Sequence, residues 1–318
     1  MLQNFLYSLN ATVPVFAVMV LGWLLKRAGF LTEEFIRTAN KLVFHVALPA
    51  MLFLDIAQMD PTQLLDGRFV AFGAAVTLVS ILLIWLLSRL LMKHKEQVGA
   101  FVQGAYRSSA AILGAALITN VYGDAGYAPL MILASVPLYN IFAVLILVLE
   151  SGGDGHQGGA GVKRAAVNVC KNPIILGIVA GMPFALLQLK LPAMVTKTVS
   201  LVGQLATPLA LLAIGAGFVW QNARQRAVPA AAASLIKLVL LPAVFLPLAI
   251  ALGFRNEQLM ALLIMLGSPS TPSGYIMAKQ MGADAELSSG VVVLTTLLAS
   301  VTITGWIFLL RSLSLLYS

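Results

Sequence analysis

The sequence predicts an all-α membrane protein of about ten transmembrane helices, arranged as two inverted five-helix repeats with interrupted helices at spans four and nine. Three observations carry this. First, 60% of the 318 residues are hydrophobic and only 10% are charged, against roughly 25% charged in a soluble domain; mean hydropathy is +0.94. Second, the apolar residues come in long blocks rather than stripes, enough to cross about 30 Å of hydrocarbon as helices. Barrel strands would alternate apolar and polar residues instead. Third, a faint similarity recurs at a fixed offset of half the chain.

The ten spans read as 10–25, 40–57, 69–92, 98–122, 127–149, 172–189, 199–220, 229–253, 258–281 and 287–310. Before the first span there is no positive charge, and Lys26 and Arg27 follow it, which predicts a retained span rather than a cleaved signal. With the N-terminus outside, thirteen Lys and Arg residues fall on cytoplasmic loops and span ends, and five fall outside. That bias obeys the positive-inside rule. It predicts a multi-pass protein of the plasma (inner) membrane with both termini on the non-cytoplasmic side. The net charge of +8 is thereby read as a topology signal and not as a nucleic-acid footprint. Residues 1–150 form the first repeat, 151–171 a flexible cytoplasmic linker rich in glycine, and 172–318 the second repeat. The single cysteine, Cys170, has no partner for a disulfide or a metal site, and His156 in the linker supplies one ligand at best. No metal and no cofactor are expected.

The repeat rests on Leu48-Pro49 against Thr207-Pro208, on Gly123 against Gly282, and on Ser109 against Ser268, all 159 positions apart. Five spans per half make the second half enter the membrane from the opposite side, a plan common among secondary transporters. Spans four and nine then correspond. Span nine contains Gly267, Ser268, Pro269, Ser270, Thr271, Pro272, Ser273 and Gly274. Proline lacks a backbone donor and clashes with the preceding turn, while Thr271-Pro272 suits a fresh helix start, with a hydroxyl N-cap and proline at N1. The helix is predicted to stop near Gly267 and restart near Pro272. Span four has Arg107, Ser108 and Ser109 but no proline. It reads either as a softer break or as an unbroken helix with small packing residues.

Non-helical backbone at membrane depth needs protein or a water-filled cavity around it, so paired breaks point to a substrate site. Restarted helices aim partly positive amides inward and favour an anion. The candidate substrate-binding residues are Arg107, Ser108, Ser109, Asn140, Lys237, Pro269, Ser270, Thr271, Pro272 and Ser273. Lys237 sits about 15 Å into span eight, near the midplane, and intramembrane charge marks function by default. It pairs with an anionic substrate, bonds carbonyls of the broken helices, or takes part in proton coupling. Arg107 either serves the site or snorkels to the interface. His45 in span two reads as a packing histidine, with a proton relay as the sharper alternative. Asp55 is the only acid inside a span and lies near its outer end.

At these residues the chain resembles the auxin efflux carrier family, whose bacterial members include malonate and malate carriers. The resemblance runs over almost the whole chain. It is carried by Leu21-Gly22-Trp23-Leu24-Leu25-Lys26-Arg27-Ala28-Gly29-Phe30, Asn40 with Phe44 and Ala47-Leu48-Pro49, Tyr106-Arg107-Ser108-Ser109 through Tyr122-Gly123, Val136 through Asn140, and Ser268 through Ser273 with Gly282 through Glu286. It implies a five-plus-five inverted repeat with crossed broken helices, as in sodium/proton antiporters and bile-acid symporters. It also implies a scaffold half of spans one, two, six and seven, a moving transport half, and assembly as a homodimer in membrane lipid. Plant relatives have an asparagine–proline pair at the span-four crossing, where Ser108-Ser109 stands here. The expected function is secondary transport of small organic anions, carboxylates such as malonate, malate or auxin-like acids, by alternating access. The alternative is a sodium- or proton-coupled transporter of another solute on the same fold. The absence of carboxylates from spans four and nine argues against antiport as the primary function. An enzyme is not expected, because no His–Ser, Asp–Asp or metal cluster falls within the spans.

Overall fold

The computed structural model of the chain describes residues 2–59, 66–110, 118, 126–150, 167 and 169–316. Three expectations fall outside them: the second half of span four, the turn carrying Gly123, and most of the linker with His156. All regular elements among the described residues are helices. Helix α1 (Leu2–Arg27) ends on its two basic residues. Helix α2 (Glu33–Leu42) is capped by Thr32, whose hydroxyl accepts from the Phe35 amide at 3.1 Å. It runs through a π turn (Val43–Ala47) into α3 (Leu48–Ala57). Then come α4 (Gly67–Leu91), α5 (Val98–Tyr106) and α6 (Ala128–Glu150).

The second part holds α7 (Pro173–Leu186), α8 (Ala193–Gln204), α9 (Ala206–Ala216) and the short α10 (Trp220–Gln225). Helix α11 (Ala227–Leu235) passes through a second π turn (Ile236–Leu240) into α12 (Leu241–Ala251). Helices α13 (Asn256–Gly267), α14 (Pro272–Gln280) and α15 (Ala285–Ser312) complete the chain.

Both π turns have the same cause. Each lies just before a proline in the next helix, Pro49 and Pro242. Proline cannot donate to the carbonyl one turn back and its ring crowds that carbonyl, so the helix widens by one residue there. His45 lies in the first of these turns with its ring exposed, Nδ1 3.0 Å from the Lys41 carbonyl oxygen.

Among the described residues six helical stretches are long and apolar enough to cross a membrane: Glu33–Ala57, Gly67–Leu91, Ala128–Glu150, Ala193–Ala216, Ala227–Ala251 and Ala285–Ser312. Two expected spans begin earlier than hydropathy places them, at Glu33 rather than 40 and at Ala193 rather than 199. Glu33 and Glu34 in the first turn of one, and Lys197 near the start of the other, are charges that hydropathy excludes but a helix end at an interface tolerates. Where span six is expected, α7 has 14 residues, about 21 Å at 1.5 Å per residue, and is not among these six.

Two hydrophobic cores organise the bundle. One draws mainly on α1–α3, α7 and α9. The other draws on α4–α6, α11–α13 and much of α15. The first is packed at glycine distance. A Cβ on Gly177 would lie 2.9 Å from the Pro49 Cα, and one on Gly203 would lie 3.0 Å from the Met51 Cα. Small residues let membrane helices approach this closely, and here they set α7 and α8 directly against α3.

Candidate functional site

Helix α5 is buried along its whole length, and α13 is buried from Leu259 to Gly267. Both end inside the protein on an extended residue, Arg107 (φ −72°, ψ 130°) and Ser268 (φ −75°, ψ 159°). No proline ends α5. Serine hydroxyls compete with the helix for backbone partners, and here they find better ones across the gap. Ser108 Oγ donates to the Met265 carbonyl, and the Ser109 amide donates to the Pro269 carbonyl at 2.9 Å. The residues that follow α5 therefore touch the end of α13 and the stretch between α13 and α14. The Ser270 amide bonds Thr295 Oγ1 at 3.1 Å, and α14 starts from extended Thr271 with Pro272 in its first turn.

Arg107 does not snorkel. It is 4% exposed and its guanidinium turns inward. Nη2 donates to Asn140 Oδ1 at 2.6 Å and to Ser273 Oγ at 3.0 Å, and Nη1 points at the Met277 sulfur at 3.3 Å. Asn140 is itself held, its Nδ2 donating to the Val136 carbonyl at 2.9 Å. Ser273 Oγ is 2.9 Å from Thr271 Oγ1. Among the described residues no carboxylate pairs with Arg107. A buried cation held only by neutral groups keeps a large uncompensated charge.

This charge faces a cavity of about 510 Å³ between the two cores. On one side stand Arg107, Ser108, Ser109, Asn140, Thr271, Pro272 and Ser273. On the other stand Asp55 of α3 and its C-cap Gln58, Ser200 and Gln204 of α8, and Thr207 of α9. The volume suits a small organic molecule, and a few convergent polar groups in an otherwise apolar lining are typical of such sites. A second cavity of about 980 Å³ lies at the opposite end of α2–α3, lined by Lys26, Arg37, Lys41 and Lys279 together with Glu33 and Glu34.

Seven of the ten candidate residues thus share one cavity wall. Three do not. Pro269 and Ser270 lie in the interruption but outside the lining, and Lys237 is fully buried with its ammonium on the Leu266 and Met265 carbonyls. Tyr139, Gln58, Ser200, Gln204 and Thr207 also line the cavity, although sequence reasoning does not single them out as binding residues. In the sequence Thr207 stands out only as the repeat mate of Leu48, and Asp55 only as an acid within a span. An approach of α8 and α9 to the interruptions leaves no local motif in the sequence.

The profile of the family described as "Membrane transport protein" matches residues 7–307. The chain belongs to this family, the auxin efflux carrier family. It is therefore a multi-pass membrane transporter. It is 25% identical to a protein of Rhizobium meliloti (strain 1021) named "Putative malonate transporter", over 94% of this chain and 95% of that one. It is 24% identical to "Uncharacterized transporter YfdV" of Escherichia coli (strain K12), over 97% of this chain and 99% of that one. An "Uncharacterized transporter" of Methanothermobacter thermautotrophicus is 24% identical over 95% of this chain and 98% of its own length.

Proposed function

We propose that this transporter is a secondary carrier of small carboxylate anions, of the malonate, malate or auxin-like class, and that Arg107 is the residue that meets the carboxylate. The observation that carries this is the Arg107 guanidinium: buried, steered by Asn140 and Ser273, unpaired with any acid among the described residues, and facing a cavity of about 510 Å³. A planar guanidinium matches a carboxylate fork. The name of the Rhizobium meliloti relative, a malonate transporter at 25% identity, points the same way.

The remaining architecture of the reading is a five-plus-five inverted repeat, with α5 and α13–α14 as the crossing helices of spans four and nine. Supporting it, Gly67–Leu91 and Ala227–Ala251 have the same length of 25 residues and start 160 positions apart, at 67 and 227. The ends of α5 and α13, at 106 and 267, are 161 apart. In this reading the two cavities at opposite ends of the continuous α2–α3 stretch are the two faces of an alternating-access path. The basic rim of the larger one draws anions to the cytoplasmic face, both termini lie outside, and the protein works in the inner membrane as a homodimer.

The test is uptake of labelled malonate, malate and an aromatic acetate into proteoliposomes, alongside melting of the purified protein with each acid. At least one carboxylate is expected to be taken up and to raise the melting temperature. Replacing Thr271-Pro272 by Ala-Ala, which removes the start of α14, is expected to abolish uptake. Neither flux nor stabilisation across a broad carboxylate panel would defeat the reading.

A further inference from the structure

Lys237 takes no part in the cavity described above. It is 0% exposed and sits in the π turn ahead of Pro242. Its ammonium donates to the Leu266 carbonyl and lies 3.4 Å from the Met265 carbonyl oxygen. Among the described residues no carboxylate pairs with it. Met265 and Leu266 belong to the last turn of α13. Carbonyls there have no partner within the helix and form the negative end of its dipole. In transporters built on interrupted helices, such ends are where coupling cations are held.

Here that end is already filled. The Ile264 carbonyl accepts from the Ser268 amide at 3.0 Å. The Met265 carbonyl accepts from Ser108 Oγ and, at 3.1 Å, from the Tyr139 hydroxyl. Lys237 completes the set. The position is built around the lysine. At Gly267 the end of α13 meets the π turn and the start of α12: a Cβ there would lie 3.9 Å from the Leu238 carbonyl oxygen and 3.0 Å from Pro242 Cγ, and Trp306 Nε1 donates to that same carbonyl at 3.0 Å.

We propose that Lys237 is a tethered cation that occupies, at the C-terminal end of α13, the place where a coupling alkali ion would sit, so that the carrier moves its anion without sodium. The proposal rests on the carrier reading above and adds the coupling ion to it. Without the lysine, the Met265 and Leu266 carbonyls and the Ser108 and Tyr139 hydroxyls present an all-oxygen set of the kind hard cations take.

The experiment is melting of the purified, substrate-free protein in sodium chloride and in choline chloride at matched ionic strength. The wild type is expected to melt at the same temperature in both. Lys237→Ser, which vacates space and adds a hydroxyl, is expected to melt lower in choline and to recover by about 3 °C or more in sodium. Lys237→Met, which fills the space without an oxygen, is expected to melt lower in both salts. A sodium-dependent rise in the wild type overturns the proposal, as does a folded Lys237→Ser that ignores sodium. Should Lys237→Ser fail to fold, carboxylate uptake by the wild type decides: equal rates in sodium and choline support the proposal, and a sodium-driven rate overturns it. Because melting is read without substrate, a failed carboxylate screen leaves the melting result for Lys237 standing.

Discussion

Arg107 directly follows α5 and Lys237 reaches the end of α13, both buried and both without a carboxylate partner among the described residues. Their surroundings differ. Arg107 is held by an amide oxygen and a hydroxyl and borders a cavity; Lys237 is pressed onto carbonyl oxygens and lies outside that cavity's lining. A charge with neutral partners and open volume beside it is arranged to meet something that arrives. A charge spent on the end of a helix is arranged to stay. In the proposed reading, therefore, it is the volume beside a buried charge, and not the charge alone, that marks Arg107 as the binding residue.

The sharpest way to break this contrast is to remove each charge and read two quantities. Arg107→Gln is expected to lower carboxylate uptake by about 100-fold or more, since losing a buried hydrogen-bonded charge contact costs roughly 3 kcal/mol. Its melting temperature should stay near that of the wild type. Lys237→Met should do the reverse in the melting assay. It strands the buried Leu266 carbonyl, at about 1–3 kcal/mol, and should lower the melting temperature by about 5 °C. Equal melting losses in the two variants would erase the distinction.

Smaller effects sharpen the Arg107 side. Asn140→Ala removes one bond to a charged group, worth about 1.5–3 kcal/mol, and is expected to weaken carboxylate affinity about ten-fold. If affinity is unchanged, Asn140 does not steer Arg107. Asp55→Asn removes the acid from the same cavity. Relief of repulsion across a hydrated space is worth at most about 1 kcal/mol, so carboxylates should bind about three-fold tighter. Weaker binding would show Asp55 to be a partner of the substrate's cationic or hydroxyl groups instead.

Much of this geometry is legible in the sequence, and the reason lies in particular residues. The non-helical stretch 268–271 follows from Pro269 and from Thr271-Pro272, because proline has no amide hydrogen and hydroxyl residues cap. Arg107 can be flagged from the sequence but not directed. Whether its side chain snorkels or turns inward depends on Asn140 and Ser273, which lie 33 and 166 positions away. Lys237 is legible as a charge out of place, but its reach to Leu266 depends on the π turn that Pro242 forces, and hydropathy sees no such turn. The cavity wall from α8 and α9 is not readable, since Gly203 and its neighbours look like any small packing residues until α3 is set against them.

The central claim is that Arg107 meets the substrate's carboxylate, and equilibrium binding of a labelled dicarboxylate to purified wild type, Arg107→Gln and Lys237→Met tests it most directly. The account predicts saturable binding to the wild type, affinity about 100-fold weaker in Arg107→Gln, and affinity within about three-fold of wild type in folded Lys237→Met. Wild-type affinity in Arg107→Gln, or loss of binding only in Lys237→Met, would contradict it.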